Sequence, residues 1–261
     1  MKVTFLGVGS AFSRKNANSN LLIENGSLKL MVDCSRSGLP ALEAYGLSLE
    51  DLTHILITHL HADHIGGLEE AALKTRIFYK RKLILLTTES LSDQLWNRSL
   101  RGGLEFVELS PGDTTPQTLN DYFSLQTVIP RQWITIGKNP GVRLYLRPTD
   151  HIKGMESYGL EVEEPPGGRA KRFLFSGDTK FDRELIRHGV QTCSHIFHDC
   201  QLFDTGKNNY LGVHASYNQL LRLPADTRRH IWLYDYGDTP LPDAEADGFA
   251  GYVRALQSFT F

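Results

Sequence analysis

Cysteine is scarce. The 261-residue chain has three, Cys34, Cys193 and Cys200, an odd number set far apart and without a C-x-x-C pair. That excludes a disulfide framework and a cysteine-built structural zinc, and it reads as a reduced chain with mostly structural thiols. Long apolar runs are missing too. Nothing approaches the ~18 residues that span a bilayer, and the opening "MKVTFLGVGS" enters a strand pattern without a signal-peptide core, so a soluble, cytoplasmic protein with no membrane partner is expected. Charge of one sign is lacking as well: the formal net charge is -2 and the pI near 6.6, leaving no global basic field for a polyanion. The densest basic stretch, "KTRIFYKRKL" from Lys74 to Leu83, reads as a solvated face between a helix and a strand.

What is present suits a large core. With 41% hydrophobic and 22% charged residues, the chain can fold as one domain over 1–261. Short apolar segments bounded by turn signals dominate. "KVTFLGVG", "NLLIEN" and "LKLMVDC" read as an opening ladder of strands, with Asn25 and Gly26 as a hairpin turn. Helical spacing follows in "GLPALEAYGLSLEDL", then a strand in "THILITH" and a helix in "IGGLEEAALKTRIF". Further strands are expected at "KLILLTT", "LEFVEL", "YFSLQTVI", "VRLYLRPTDH", "YGLEVEE", "RFLFSGD", "HIFHDCQ" and "HIWLYDYGD". Helices are expected near Phe181 to Gly189, Ser216 to Leu223 and Gly248 to Gln257. This order predicts an α/β fold, a four-layer αββα sandwich; the early hairpins disfavour a doubly wound parallel sheet.

Residues 59 to 64 read His-Leu-His-Ala-Asp-His, four potential metal ligands in six positions after an apolar strand. On an extended segment His59 and His61 project to one side, while Asp63 and His64, at the start of the next helix, can turn back on the same pocket. Imidazole suits zinc, iron and manganese and carboxylate adds a harder donor, so the set matches two adjacent cations better than one.

"THLHADHIGG" resembles the H-x-H-x-D-H signature of the metallo-β-lactamase fold superfamily, and "FLGVGSAFSRKNANSNLLIE" with "LMVDCS" resembles the start of its tRNase Z-like branch. The resemblance implies a dinuclear site: His59, His61 and a later histidine on one metal, Asp63 and His64 with a final ligand on the other, and a bridging aspartate between. His151 in "RPTDHIKGM" fits the later histidine, Asp178 in "FLFSGDT" the bridge, and Asp33 the aspartate that supports the ligands from behind. The final ligand departs from the pattern: the family has a histidine where "IWLYDYGD" puts Asp235, and His230, five positions upstream on a strand, faces the other way. A carboxylate there would harden the second site toward manganese or weaken it. "FHDCQLF" resembles the family's His-Glu-Ala-Thr motif with Asp199 in the acidic place, and "GVHASY" supplies His214; the pair implies that Asp199 orients His214 as general acid. His54, His188, His195 and His198 read as structural.

The activity implied is phosphodiester hydrolysis by a water activated between two divalent ions, Zn²⁺ first and Mn²⁺ as the alternative, with Asp63 and His214 beside the reacting atoms. Relatives that process tRNA carry a long arm between the later histidine and the bridge, but here Asp178 follows His151 by only 27 positions, with "EEPPGGRAKR" as the sole insert. A compact phosphodiester is therefore expected in preference to tRNA. In size and opening motif the chain resembles small cyclic-nucleotide phosphodiesterases of the anti-Pycsar type, which implies a role against cyclic-nucleotide immune signalling. Tyr158, Tyr217 and Trp133 are candidates for a base pocket. The resemblance also implies a homodimer. The alternatives are a tRNA 3′-end nuclease, another metallo-hydrolase such as a lactonase or thioesterase, or a nucleotide-binding protein with a weakened site.

Overall fold

The opening hairpins form as their alternation predicts. Strands β1 (Lys2–Gly7), β2 (Asn20–Asn25) and β3 (Leu28–Val32) pair antiparallel, Leu22 facing Met31 across a turn in which Gly26 takes φ +58. β4 (His54–Leu56), β5 (Leu83–Thr87) and β6 (Phe123–Thr127) then extend the sheet in parallel. The computed structural model describes residues 1–138, 141–202 and 212–261. In the second sheet β7 (Trp133–Ile136), β8 (Val142–Pro148), β9 (Tyr158–Glu163) and β10 (Arg172–Phe175) are antiparallel. β11 (His195–Asp199), β12 (Ile231–Tyr234) and β13 (Gly251–Tyr252) continue it in parallel, and β14 (Ser258–Thr260) returns to the first sheet beside β1.

The two sheets meet through aromatic and aliphatic side chains: the Phe5 ring lies 4.8 Å from Phe197 and 5.8 Å from Tyr234. The first sheet's other face, with Leu22, Met31 and Ile55, takes the helices Gly38–Ala44 and Leu68–Ile77. Leu185 and Ile186 of the helix Arg183–Thr192 join the core beside Leu174 and Ile196 of the second. The result is the expected α/β order of helices, sheet, sheet, helices.

Two expected elements do not form, while β7, β14 and the helical run from Glu89 to Leu104 are not among those expected. "LEFVEL" is not a strand: Leu104 ends a helical run that begins at Glu89, and the place beside β5 is taken by β6. Residues 248 to 257 are not a helix, because Gly248 and Gly251 adopt φ +83 and +134; the helix-like spacing of Phe249, Tyr252 and Val253 reflects burial around the short β13. The basic stretch is a surface element whose cations are partly occupied, Lys74 with Glu70 and Arg81 with the carbonyls of Leu49, Glu50 and Leu52. All three cysteines are free and buried. Among the described residues no helix is long and apolar enough to cross a membrane.

Candidate metal centre

The site lies at the C-terminal ends of strands from both sheets, where backbone leaves regular pairing and side chains can converge. Asp33 follows β3 and Asp235 follows β12, each in the left-handed region at φ +60 and +64, a conformation that costs of order 1–3 kcal/mol for residues with a Cβ. His59 and His61 sit in the loop after β4, and the short helix Ala62–Ile65 carries Asp63 and His64. His151 follows β8. Asp178 is delivered by Gly177, which needs φ +59 and leaves no room for a Cβ, since one would lie 2.3 Å from the Tyr158 carbonyl oxygen.

The expected ligands come together in overlapping sets that share Asp178: His59, His61, His151 and Asp178; then Asp63, His64 and Asp178. Asp235 falls in a third set with Asp178 and His214 rather than in the close set of Asp63 and His64. His61 Nδ1 is 3.0 Å from His59 Nε2 and 3.2 Å from His151 Nε2, while Asp178 Oδ2 lies 3.7 Å from His59 and 3.8 Å from His151. Ligand atoms about 2.0–2.1 Å from a tetrahedral ion lie about 3.3 Å apart, so these separations fit one.

The tautomers of His59, His64 and His151 also fit, because the remote nitrogen of each has an acceptor that fixes its proton there. His64 Nδ1 donates to Asp33 Oδ2 at 2.7 Å and His151 Nδ1 to the Val213 carbonyl at 2.8 Å. Thr58 donates its hydroxyl and its N–H to Asp33, so its oxygen is left to accept from His59 Nδ1 at 3.1 Å. Nε2 of His59, His64 and His151 therefore faces the centre. Buried Asp178 Oδ1 has no hydrogen-bond partner among the described residues, an orphaned anionic oxygen that a cation would satisfy. Crowding of acids adds to the case: burial, then the negative charge of Asp178, pushes the Asp235 carboxyl up to about 8.

Beside these groups, Asp199 is fully buried and its Oδ2 accepts from His214 Nδ1 at 2.9 Å. Burial alone would lower the imidazole, but the bond to Asp199 and the charges of Asp178, Asp199 and Asp235 raise it to about 10. With Nδ1 committed to Asp199, the other ring nitrogen is left for proton transfer. Sequence reasoning missed Ser19, whose hydroxyl donates to Asp235 Oδ1 at 2.9 Å, and Thr58; neither belongs to a ligand motif.

The base-pocket candidates are not at the site. Tyr217 is buried and donates to Asp247, Tyr158 is buried and donates to Glu156, and Trp133 lies between the guanidinium groups of Arg143 and Arg172. The cavity over the ligands, about 600 Å³, is instead walled by Phe12, Ile152, Leu202 and Val213. None of the four histidines read as structural joins the ligand sets: His188 hydrogen-bonds Glu161, and the fully buried His198 places Nδ1 3.1 Å from Asp199 Oδ1.

Known proteins of similar architecture include the metallo-β-lactamase fold protein YhfI from Bacillus subtilis, with a TM-score of 0.75 at 16% identity over 99% of this chain and 98% of that one. The short form of human tRNase Z matches with a TM-score of 0.66 at 18% identity over 100% of this chain and 99% of its own. Both likenesses concern the fold. In sequence the chain is 38% identical over 261 residues to an Anti-Pycsar protein Apyc1 of Paenibacillus harenae, covering 98% of this chain and 97% of that protein. It is 40% identical over 271 residues to the protein of that name from Bacillus phage 010DV004, covering 100% and 98%. A family model described as Anti-Pycsar protein Apyc1 matches residues 1–259, and the chain belongs to that family.

Proposed function

We propose that this chain is a metal-dependent phosphodiesterase that hydrolyses 3′,5′-cyclic nucleotides and thereby counteracts Pycsar signalling, the role its relatives' names carry. The observation that carries the reading is the donor set sharing Asp178, set next to an imidazole that Asp199 keeps protonated. His59, His61, His151 and Asp178 would hold one divalent cation, and Asp63, His64 and Asp178 a second, which Asp235 would join from its neighbouring set with Asp178 and His214. Bound there, zinc or manganese supplies Lewis-acid chemistry to the phosphoryl group and to water.

The chain's own residues do the rest. In hydrolysis a water oxygen bonds to phosphorus as the ester P–O bond breaks, and the departing ribose oxygen needs a proton. His214 donates it from the nitrogen opposite Asp199, and Asp63, a partly exposed carboxylate, accepts the proton of the attacking water. The cavity matches a mononucleotide in volume. The 27 positions from His151 to Asp178 are taken up by β9, a turn and β10, which leaves no arm to grip tRNA. Metal analysis of the purified protein, followed by assays on a panel of 3′,5′-cyclic nucleotides, tests the reading. No turnover under saturating Zn²⁺ or Mn²⁺ would refute it.

A further inference from the structure

We propose that the apolar lining of the cavity forms a nucleobase subsite, with Phe12 as its stacking face and Asp238 as the residue that fixes the loop presenting it. The proposal deepens the phosphodiesterase reading and rests on it. Phe12 is 89% exposed, more than Phe78 at 73% or Phe106 at 71%, and it stands at the mouth of the cavity that holds the metal ligands. An aromatic ring left in water is unfavourable unless something covers it.

Its backbone is not loose. Asp238 Oδ1 accepts from Ser13 Oγ at 2.6 Å and from Lys15 N–H at 3.3 Å, while Oδ2 accepts from Arg14 N–H at 2.7 Å. Ser13 Oγ in turn accepts from the Asn16 N–H at 3.1 Å, and the Ser10 N–H bonds the Tyr236 carbonyl at 3.2 Å. The loop is thus tied to the end of β12, the strand that also delivers Asp235, while the ring at its tip stays 89% exposed among the described residues. Ile152, Leu202 and Val213 line the same cavity as His61, Asp63 and His151. A phosphate seated at those ligands carries its ribose and base into this apolar space. The occupant is therefore the base of the substrate itself, and stacking on an aromatic is worth about 5- to 140-fold in affinity per base.

The test compares wild type, Phe12→Ala and Phe12→Trp on a 3′,5′-cyclic nucleotide and on base-free 1-deoxyribose 3′,5′-cyclic phosphate. Phe12→Ala is expected to lose about 5- to 140-fold more kcat/KM on the nucleotide than on the base-free analogue, chiefly through KM, and Phe12→Trp to restore it. Asp238→Ala should give a smaller loss of the same kind. Equal losses on both substrates, or none, overturn the proposal. So does a switch of Phe12→Ala from dimer to monomer in sedimentation equilibrium without that selective loss, which would make Phe12 a contact between copies. If wild type turns over no cyclic nucleotide, the phosphodiesterase reading falls, and equilibrium binding of the nucleotide to metal-loaded protein decides the subsite alone. Weaker binding by Phe12→Ala then supports it, and no binding by wild type overturns it.

Discussion

Replacing Asp199 with asparagine keeps the shape of the His214 support and removes its charge. In the native protein burial opposes the imidazolium, yet the bond to Asp199 and the nearby acids raise His214 from 6.5 to about 10, equivalent to roughly 5 kcal/mol in favour of the charged ring. Cations at the ligands would neutralise Asp178 and Asp235, so in the loaded protein Asp199 is the anion that keeps the proton on. Charged and neutral hydrogen bonds differ by roughly 1–2 kcal/mol, so the variant's ring should release its proton about 0.7–1.5 pH units earlier. Because the ring must be protonated to act, the sign is fixed: activity is retained below the His214 pKa and lost above it, and the alkaline limb of the kcat profile moves toward acid. A general acid is worth about 10²–10⁴-fold. We expect Asp199→Asn to lose about 5- to 30-fold in kcat on a cyclic nucleotide on the alkaline limb, the factor by which that shift lowers the protonated fraction, and His214→Ala to lose the full ~10²–10⁴-fold. The Asp199→Asn loss should be smaller on bis-p-nitrophenyl phosphate, whose phenolate departs without help. His214→Ala should show the same contrast, and the double variant should add little to either. Equal losses on both substrates, or an unmoved limb, would refute the assignment.

Other residues give narrower tests. Ser19→Ala frees Asp235 Oδ1 from its 2.9 Å hydrogen bond and should lower the affinity for the second equivalent of metal about 10–100-fold, as read by competition with a chromogenic chelator. Asp33→Asn, which weakens the 2.7 Å bond to His64, should cost a similar factor in metal affinity; unchanged affinity would show that Asp33 does not act through the ligand. Gly177→Ala forces a Cβ into φ +59 and toward the Tyr158 carbonyl, costing at least ~2 kcal/mol. Its thermal midpoint should fall by about 4–8 °C.

The readability of this chain follows from how local each signal is. The opening strands and the His59 to His64 cluster could be read because their periodicity, turn residues and ligand spacing lie within a few positions. Asp33, Asp178 and Asp199 each lie at or just beyond a strand end, but it is the resemblance of their contexts to the family's motifs that marked them as candidates, and the fold gathers them at one rim. The false strand at "LEFVEL" and the false helix after Gly248 arose where local pattern competed with sheet order and with glycine at positive φ. The base-pocket candidates failed for a related reason. Composition favours aromatics on apolar strands and helices, and Tyr158 and Tyr217 are held there as half-polar core residues by Glu156 and Asp247.

What no short window discloses is contact between distant segments. Ser19 meets Asp235 across 216 positions and Ser13 meets Asp238 across 225, so the loop after β1 and the end of β12 form one structural unit at the mouth of the site. That unit gives the departure at Asp235 a physical account. A histidine ligand is oriented by an acceptor for its second nitrogen; a carboxylate needs a donor to occupy its second oxygen, and Ser19 supplies one while leaving Oδ2 turned toward His214 at 3.8 Å. On the proposed reading the aspartate would then be a supported ligand, with a hydroxyl suited to a carboxylate behind it, rather than a histidine lost without compensation.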